Sequence, residues 1–373
     1  MLDPIIQFIQ RIFSAIRRGI GMLIAWILFP FLSASRWYAS RGLILKAILG
    51  VIILMIAVAY AHFIWITQVW NGFDPDYVKA YKFQEQKYSA GVDIPNSDPA
   101  APKTCQPSAI VNVISDLIAM EVNQNTWISS APLYKLGLFG LDWDNTPWLD
   151  NKASFQRGVN QTVRRTTIEL VDALARVRGT SGINPQLQQA RQDMQYDESA
   201  WYISFSPFGF RTPTPSIYRQ AIPNLKTFNA DLAQCKSTFD GRADNLLEFL
   251  DRVSNDLGNT SNILRTRSEN YSAGWFDGRA DDRFWFAYGQ LYGYYGILSA
   301  ARVDFQDTIR DRNLGNLWNI MLDRFRAALN IQPLLISNGA EDGIIMPAHL
   351  ATQGFYLLNA RTSLIEIRDV LDR

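Results

Sequence analysis

Residues 47–65 read AILGVIILMIAVAYAHFIW, 19 residues without a charged side chain, and Leu43, Ile44 and Leu45 extend the apolar run upstream of Lys46. At about 1.5 Å of rise per residue, a helix of that length reaches roughly 28 Å, close to the ~30 Å hydrocarbon thickness of a bilayer. In lipid a lone segment satisfies its backbone polar groups only as a helix. Residues 43–69 are therefore predicted to be a transmembrane helix, and the lipid bilayer is the first partner the sequence implies. Tyr60, Trp65 and Trp70 stand where interfacial aromatics are expected. Ala59-Tyr60-Ala61 has the small-x-small form of a processing site. The long preceding segment, with a second apolar stretch in it, favours an uncleaved anchor.

Outward from the span, residues 1–46 carry Arg11, Arg17, Arg18, Arg36, Arg41 and Lys46 against Asp3, a net of +5. On the other side stands Asn71-Gly72-Phe73-Asp74-Pro75-Asp76, acidic and turn-forming. Cations flanking a span stay cytoplasmic, so a single pass is expected with the N-terminus inside and residues from about 71 outside. The whole chain is +1, which leaves −4 beyond that basic segment and no electrostatic footprint for nucleic acid. Residues 1–42 are read as a basic cytoplasmic or interfacial segment. In it Ile5, Ile6, Phe8, Ile9, Ile12, Phe13 and Ile16 recur at helical spacing among Gln and Arg. Gly19–Ala34 is apolar but short and interrupted by Pro30. An interfacial or re-entrant segment and a first span of a hairpin both remain open for it.

Residues 70–107 are expected to form a polar, Pro-rich connector, a stalk or an extended arm over the domain surface. From Ser108 onward the pattern is helical. Ile110, Val113, Ile114, Leu117 and Ile118 form one apolar stripe, and further helices are predicted over Asn151–Arg178, Pro215–Phe239, Asp244–Leu257, Asp281–Arg312 and Leu314–Leu329. The last helix is expected from Pro347 to Leu371. No clean period-two stretch bounded by hairpin turns stands out. The fold class is thus all-α, an N-terminal transmembrane anchor followed by a soluble, bundle-like multi-helix domain over residues 108–373.

Candidate sites are sparse. Residues 275–297 concentrate Trp275, Phe276, Phe284, Trp285, Phe286, Tyr288, Tyr292, Tyr294 and Tyr295, with Gly289, Gly293 and Gly296 on one helix face. Two readings follow: a platform for lipid or glycan using Trp285, Tyr288, Tyr292 and Tyr295, or core packing with glycines setting the interhelical distance. Trp143 and Trp148 lie among Asp142, Asp144 and Asp150, which could hold a ligand. Their spacing is not that of a calcium loop, and Asp150 is better placed as a helix cap. His62 and His349, with Cys105 and Cys235, offer no zinc-ligand spacing and no catalytic triad, so neither metal nor cofactor is expected. Both cysteines lie beyond the span, and a Cys105–Cys235 disulfide is expected over two separate thiols.

Glu198-Ser199-Ala200-Trp201 followed by Ser206-Pro207-Phe208-Gly209 resembles the Glu-Ser motif of lytic transglycosylases, in which the Glu is the catalytic acid/base. The segment after it, Phe210-Arg211-Thr212-Pro213-Thr214-Pro215, lacks the substrate-groove sequence of that family. Over nearly its full length the chain resembles a proteobacterial inner-membrane family known as domain of unknown function 2333. The likeness lies in its overall plan, in Trp148-Leu149-Asp150-Asn151 with Ser154-Phe155-Gln156-Arg157-Gly158, and in Asp197-Glu198-Ser199-Ala200-Trp201-Tyr202. The resemblance implies the bacterial inner membrane and periplasm and carries no functional residues. The sequence reading is a periplasmic helical protein of the cell envelope acting by contact with other envelope proteins or a second copy of itself. The alternatives are a peptidoglycan-active enzyme using Glu198 and a lipid or glycan binder using 275–297.

Overall fold

The computed structural model describes residues 3–96, 98, 102–138, 140–176, 182–271, 277–341 and 346–373. The contacts divide the chain into two units, residues 1–62 and 63–373. In the first, α1 (Asp3–Ala39) is one continuous helix with Pro30 inside it. It bends by 40° where Arg17–Trp26 meets Leu28–Ala39. Proline lacks the N–H that would bond four residues back and its ring crowds that carbonyl, so a kink near Trp26 is where Pro30 would put it. Pro30 thus bends the apolar stretch without ending the helix. After a turn, α2 (Leu43–Gln68) begins, with the Tyr38 hydroxyl donating to the Lys46 carbonyl at 2.9 Å. This helix is long and apolar enough to cross a membrane, and its most apolar stretch is not buried against protein. A core helix of a water-soluble domain would be covered.

The second unit begins inside α2. Phe63 and Thr67 are buried, and the Phe63 ring lies 5.0 Å from that of Trp143. Lys152 donates its ammonium to the carbonyls of Ile66 at 2.9 Å and Val69 at 2.6 Å, a cation on the orphan carbonyls of a helix C-terminus. The expected connector starts as core rather than as a polar stalk. Trp70 packs on Phe155 and Trp285 at 5.1 and 5.0 Å, and Tyr77 stacks on Tyr292 at 4.5 Å while donating to its carbonyl. Trp70, Phe73, Tyr77 and Tyr81, four aromatics in twelve residues, pack against the core and gain more from that burial than the flanking Asp and Pro lose. Further on, Cys105 and Cys235 form a disulfide with 5.2 Å between Cα atoms, tying the end of this arm to the residues just after α7.

The remaining helices are α3 (Ala109–Ala119, prolonged by a π turn at Met120–Gln124), α4 (Pro132–Leu136), α5 (Asn151–Glu169, prolonged by a π turn at Leu170–Leu174) and α6 (Pro185–Met194). Then come α7 (Thr214–Ala233), α8 (Ala243–Tyr271), α9 (Ala280–Asp304), α10 (Gln306–Asp311), α11 (Gly315–Leu329) and α12 (His349–Leu371). Between α6 and α7 a hairpin of β1 (Ile203–Phe205) and β2 (Phe208–Phe210) is the one sheet among the described residues. Pro347 stands before α12 rather than in its first turn, where its carbonyl accepts from Ser337 and Gly339. Helix α9 is the axis: it is buried on nearly every side and packs on α3, α5, α8, α11 and α12, while α6 and α7 pair outside α3 and α5.

Close approach of α5 to α9 needs glycine on both. A Cβ on Gly158 would lie 2.9 Å from the Gln290 nitrogen and 3.0 Å from the Gly289 Cα, and one on Gly289 would meet the Phe155 carbonyl and the Val159 nitrogen. Farther along the same groove Gly293 receives Thr162 and Gly296 receives the Tyr77 hydroxyl. Buried polar groups lock the other faces. The fully buried Asp304 accepts from the Ser108 hydroxyl and from the Ala109 and Ile110 amides, capping α3 from α9. Asp256 of α8 takes two bonds from Arg165 of α5 and one from Tyr294 of α9.

Buried carboxyls, Glu121, Glu169 and Asp304 among them, make stability depend on pH. Burial pushes Glu121 up to about 7, against a hydrogen bond from Gln156 and the charge of Lys152, and pushes Asp304 up to about 6 against its three donors. The unfolded chain releases these protons near pH 4, so between about pH 4.5 and 7 the folded state holds more of them, and stability falls as pH rises through that window. Lys152, pushed down to about 8 by burial, titrates above it, and Asp76, held low by Lys79 and Arg326, titrates below it. Urea unfolding of the full chain in detergent should show a loss of roughly 2–3 kcal/mol from pH 5 to 7.5, reduced in Glu121→Gln. A gain with pH would contradict this assignment.

Candidate functional site

The aromatic residues proposed as a platform form no surface. Tyr288 and Tyr292 are fully buried, Tyr295 is buried and Trp285 is half-buried between Trp70 and Tyr288, while Trp275 and Phe276 lie outside the described residues. The Tyr288 hydroxyl donates to the Leu329 carbonyl, and Tyr292 stacks between Phe73 and Tyr77. Tyr288 and Tyr292 are enclosed in the core, so Trp285, Tyr288, Tyr292 and Tyr295 do not share one exposed platform of the kind the lipid or glycan reading needs. Trp143 is buried and donates to the Leu133 carbonyl, while Trp148 is half exposed and offers its carbonyl to Gln68. The two tryptophans therefore do not form one binding surface. His349 accepts from the Ser337 amide and burial holds it low, a structural role in the turn before α12.

What the fold does build is a charged cleft of about 600 Å³. Arg157 and Arg164 are seven residues apart on α5 and share a face adjacent to the one that carries Gly158. Lys135 comes from α4, Asp142 and Asp144 from the turn before α5, and Asp197 and Glu198 from the loop after α6. The Glu198 side chain is pinned: one carboxylate oxygen accepts from Arg164 at 2.7 Å and from Asn160 at 3.0 Å, and its backbone carbonyl accepts from the Trp127 indole. A carboxylate held by a guanidinium and an amide is a hydrogen-bond acceptor, whereas glycoside cleavage requires a proton donor with a raised pKa. In this structure Glu198 is an ion-paired acceptor on the cleft wall, and the segment after it lacks the groove sequence of the transglycosylases.

The remainder of that motif is the hairpin. Ser206 and Pro207 form its turn, and Phe208 and Phe210, two apart on one strand, are 83% and 93% exposed, beside Tyr202 at 61%. Arg211 donates to Asp197 and the Tyr196 hydroxyl to the Thr212 carbonyl, so the hairpin base is fixed to the rim of the cleft. Large aromatics that bury nothing are unusual on a domain whose other aromatics are mostly covered.

At the floor, a second cavity of about 230 Å³ shares Asp144, Arg157 and Glu198 with the first. Beside it the carboxylates of Asp144, Asp150 and Asp282 each place an oxygen within 4.8 Å of the others. Asp150 occupies the cap position of α5 yet makes no cap hydrogen bond, contrary to its sequence reading; it points to Asp282 in the first turn of α9. Burial, then the neighbouring carboxylates Asp282 and Asp281, push its carboxyl strongly up. Ser154 donates to Asp282 and Tyr134 to Asp144, and Arg157 comes within 4.0 Å of Asp282. Asp281 and Asp282 carried no signal in the sequence beyond being acidic at a helix start.

The class these features define is an all-helical domain preceded by a helix fit to cross a membrane, with a charged cleft and an exposed aromatic hairpin. The chain belongs to the bacterial family of domain of unknown function 2333, described as an uncharacterized protein conserved in bacteria, which matches residues 133–273 and 266–373. No curated protein and no solved structure matches it. The matched region contains the cleft, the hairpin and the α5–α9 crossing. For Glu198 the expected result is negative: the full chain in detergent releases no soluble muropeptides from peptidoglycan, and Glu198→Gln, checked first for helical content and melting, behaves as wild type. Release that vanishes in Glu198→Gln would restore the enzymatic reading.

Proposed function

We propose that this protein is a single-pass component of the bacterial inner membrane, with a cytoplasmic N-terminus and a periplasmic helical domain, that works by docking another protein of the cell envelope. Location is supported by the net of +5 over residues 1–46, by the exposed apolar side chains of α2 and by a disulfide, which persists in oxidising compartments. The docking role is carried by the hairpin, where Tyr202, Phe208 and Phe210 are exposed next to a cleft of mixed charge. Aromatic anchors beside polar groups that can pair are the composition of protein interfaces. A membrane surface fits less well, since Asp142, Asp197 and Glu198 would face anionic headgroups and Arg211, the cation next to Phe210, is already paired with Asp197. The partner is a protein with an apolar pocket for the two phenylalanines and charges of both signs around it.

In living cells, a benzophenone amino acid at Phe208 or Phe210 should form adducts with exported envelope proteins or with the protein itself. The double variant Phe208→Ser, Phe210→Ser should weaken recovery of the same partner by about tenfold or more, as removal of interface anchors does. Adducts with cytoplasmic proteins would overturn the orientation. Adducts with lipid alone, or none, would overturn the docking role.

A further inference from the structure

We propose that Asp144, Asp150 and Asp282 hold a divalent cation of the calcium class at the point where the starts of α5 and α9 meet. The donor set is three carboxylates with no nitrogen or sulfur, which selects hard cations. Their oxygens lie within 4.8 Å of one another, the span available to ligands about 2.4 Å from one shared calcium ion. Asp150 supplies the independent observation. It is fully buried, and neither of its oxygens has a hydrogen-bond donor among the described residues, yet both belong to a side chain directed into the cluster. A buried carboxylate with no donor is costly unless a proton or a cation answers it.

The surrounding groups fit a ligand shell already partly oriented. Tyr134 donates to one oxygen of Asp144 at 2.6 Å and Ser154 to one oxygen of Asp282 at 2.6 Å, which fixes both carboxylates. The N-terminal ends of α5 and α9 and the Arg157 guanidinium at 4.0 Å from Asp282 offset part of the negative charge. Asp281, adjacent in the chain, adds a fourth carboxylate that raises the demand for a counter-charge. The cavity of about 230 Å³ against Asp144 and Asp282 admits water, which calcium uses to complete six to eight oxygen ligands. The cation would join two regions distant in sequence, the turn leading into the start of α5 and the start of α9. The first lies directly under the charged cleft. Its binding therefore orders the cleft floor and stabilises the crossing of the two central helices.

The test uses the full chain in detergent after treatment with a chelator, with terbium and calcium themselves as probes. Tryptophan excitation should sensitise terbium emission, because the Trp143 ring is adjacent in sequence to Asp144 and Trp148 is two residues from Asp150. Calcium should displace the terbium and raise the melting temperature of the wild type above its value in chelator. Asp150→Asn and Asp282→Asn should each weaken terbium binding by at least the roughly 10–100-fold lost when mere outer-shell partners are removed. Neither should then be stabilised by calcium. Should one variant fail to fold, the other and the wild-type melting shift still decide. Absence of sensitised emission together with equal melting in calcium and chelator overturns the site and leaves a pair of protonated acids. So does emission that persists in both variants.

Discussion

The contact between Gly158 of α5 and Gly289 of α9 fixes the distance on which the rest of the domain depends. With no Cβ on either residue, backbone meets backbone, and any side chain there would overlap the Phe286 or Phe155 carbonyl. The crossing is parallel: Gly158 faces Gly289 and Thr162 faces Gly293 farther along, so the starts of both helices come together. That is why Asp150 and Asp282 become neighbours. It also leaves the adjacent face of α5, with Arg157 and Arg164, to line the cleft. The groove continues to Gly296, where Tyr77 enters and brings the segment after the span into the core.

Around that axis the domain uses buried polar groups to set register where apolar packing alone would tolerate sliding. Asp304 holds the start of α3, and Asp256 gathers Arg165 and Tyr294 from two other helices. Trp318 and Tyr288 donate to backbone carbonyls of Leu298 and Leu329, so large rings in the core spend their polar atoms inside the bundle. Satisfied networks of this kind rigidify a core, and any member left alone would be expensive. The same burial makes Glu121 and Asp304 hard to ionise, which ties stability to acidity through packing rather than through any surface charge.

Helical period made most of the fold legible. Residues 110–118 and the runs leading into α5, α7, α9 and α11 show their apolar faces directly, and the span at 47–65 needs only its length and lack of charge. Residues 70–81 were misleading because Asp74, Pro75 and Asp76 mark a turn, while the value of Trp70, Phe73 and Tyr77 lies in a groove formed by residues some two hundred positions later. The short hairpin at 203–210 has too few residues for alternation to register, and its Phe208 and Phe210 are exposed, against the usual direction of burial. The acidic cluster was half visible. Asp142, Asp144 and Asp150 could be weighed as a loop and failed the spacing of one, but Asp282 reaches them only through the helix crossing. Local spacing cannot report a site whose ligands are assembled by tertiary packing.

The central claim is that the Gly158–Gly289 contact sets the architecture, and unfolding of Gly158→Ala, Gly289→Ala and the double variant tests it most directly. In an exposed helix, glycine to alanine should stabilise by up to about 1 kcal/mol through propensity alone, so the sign of the change is diagnostic. The crossing predicts a loss of about 1–3 kcal/mol or more for each single variant, as overpacking in a tight core produces. It also predicts a double variant that departs from the sum, because both methyls force the same two helices apart. Single variants as stable as the wild type or more so, with additive effects, would contradict it and place the determinant of the fold elsewhere.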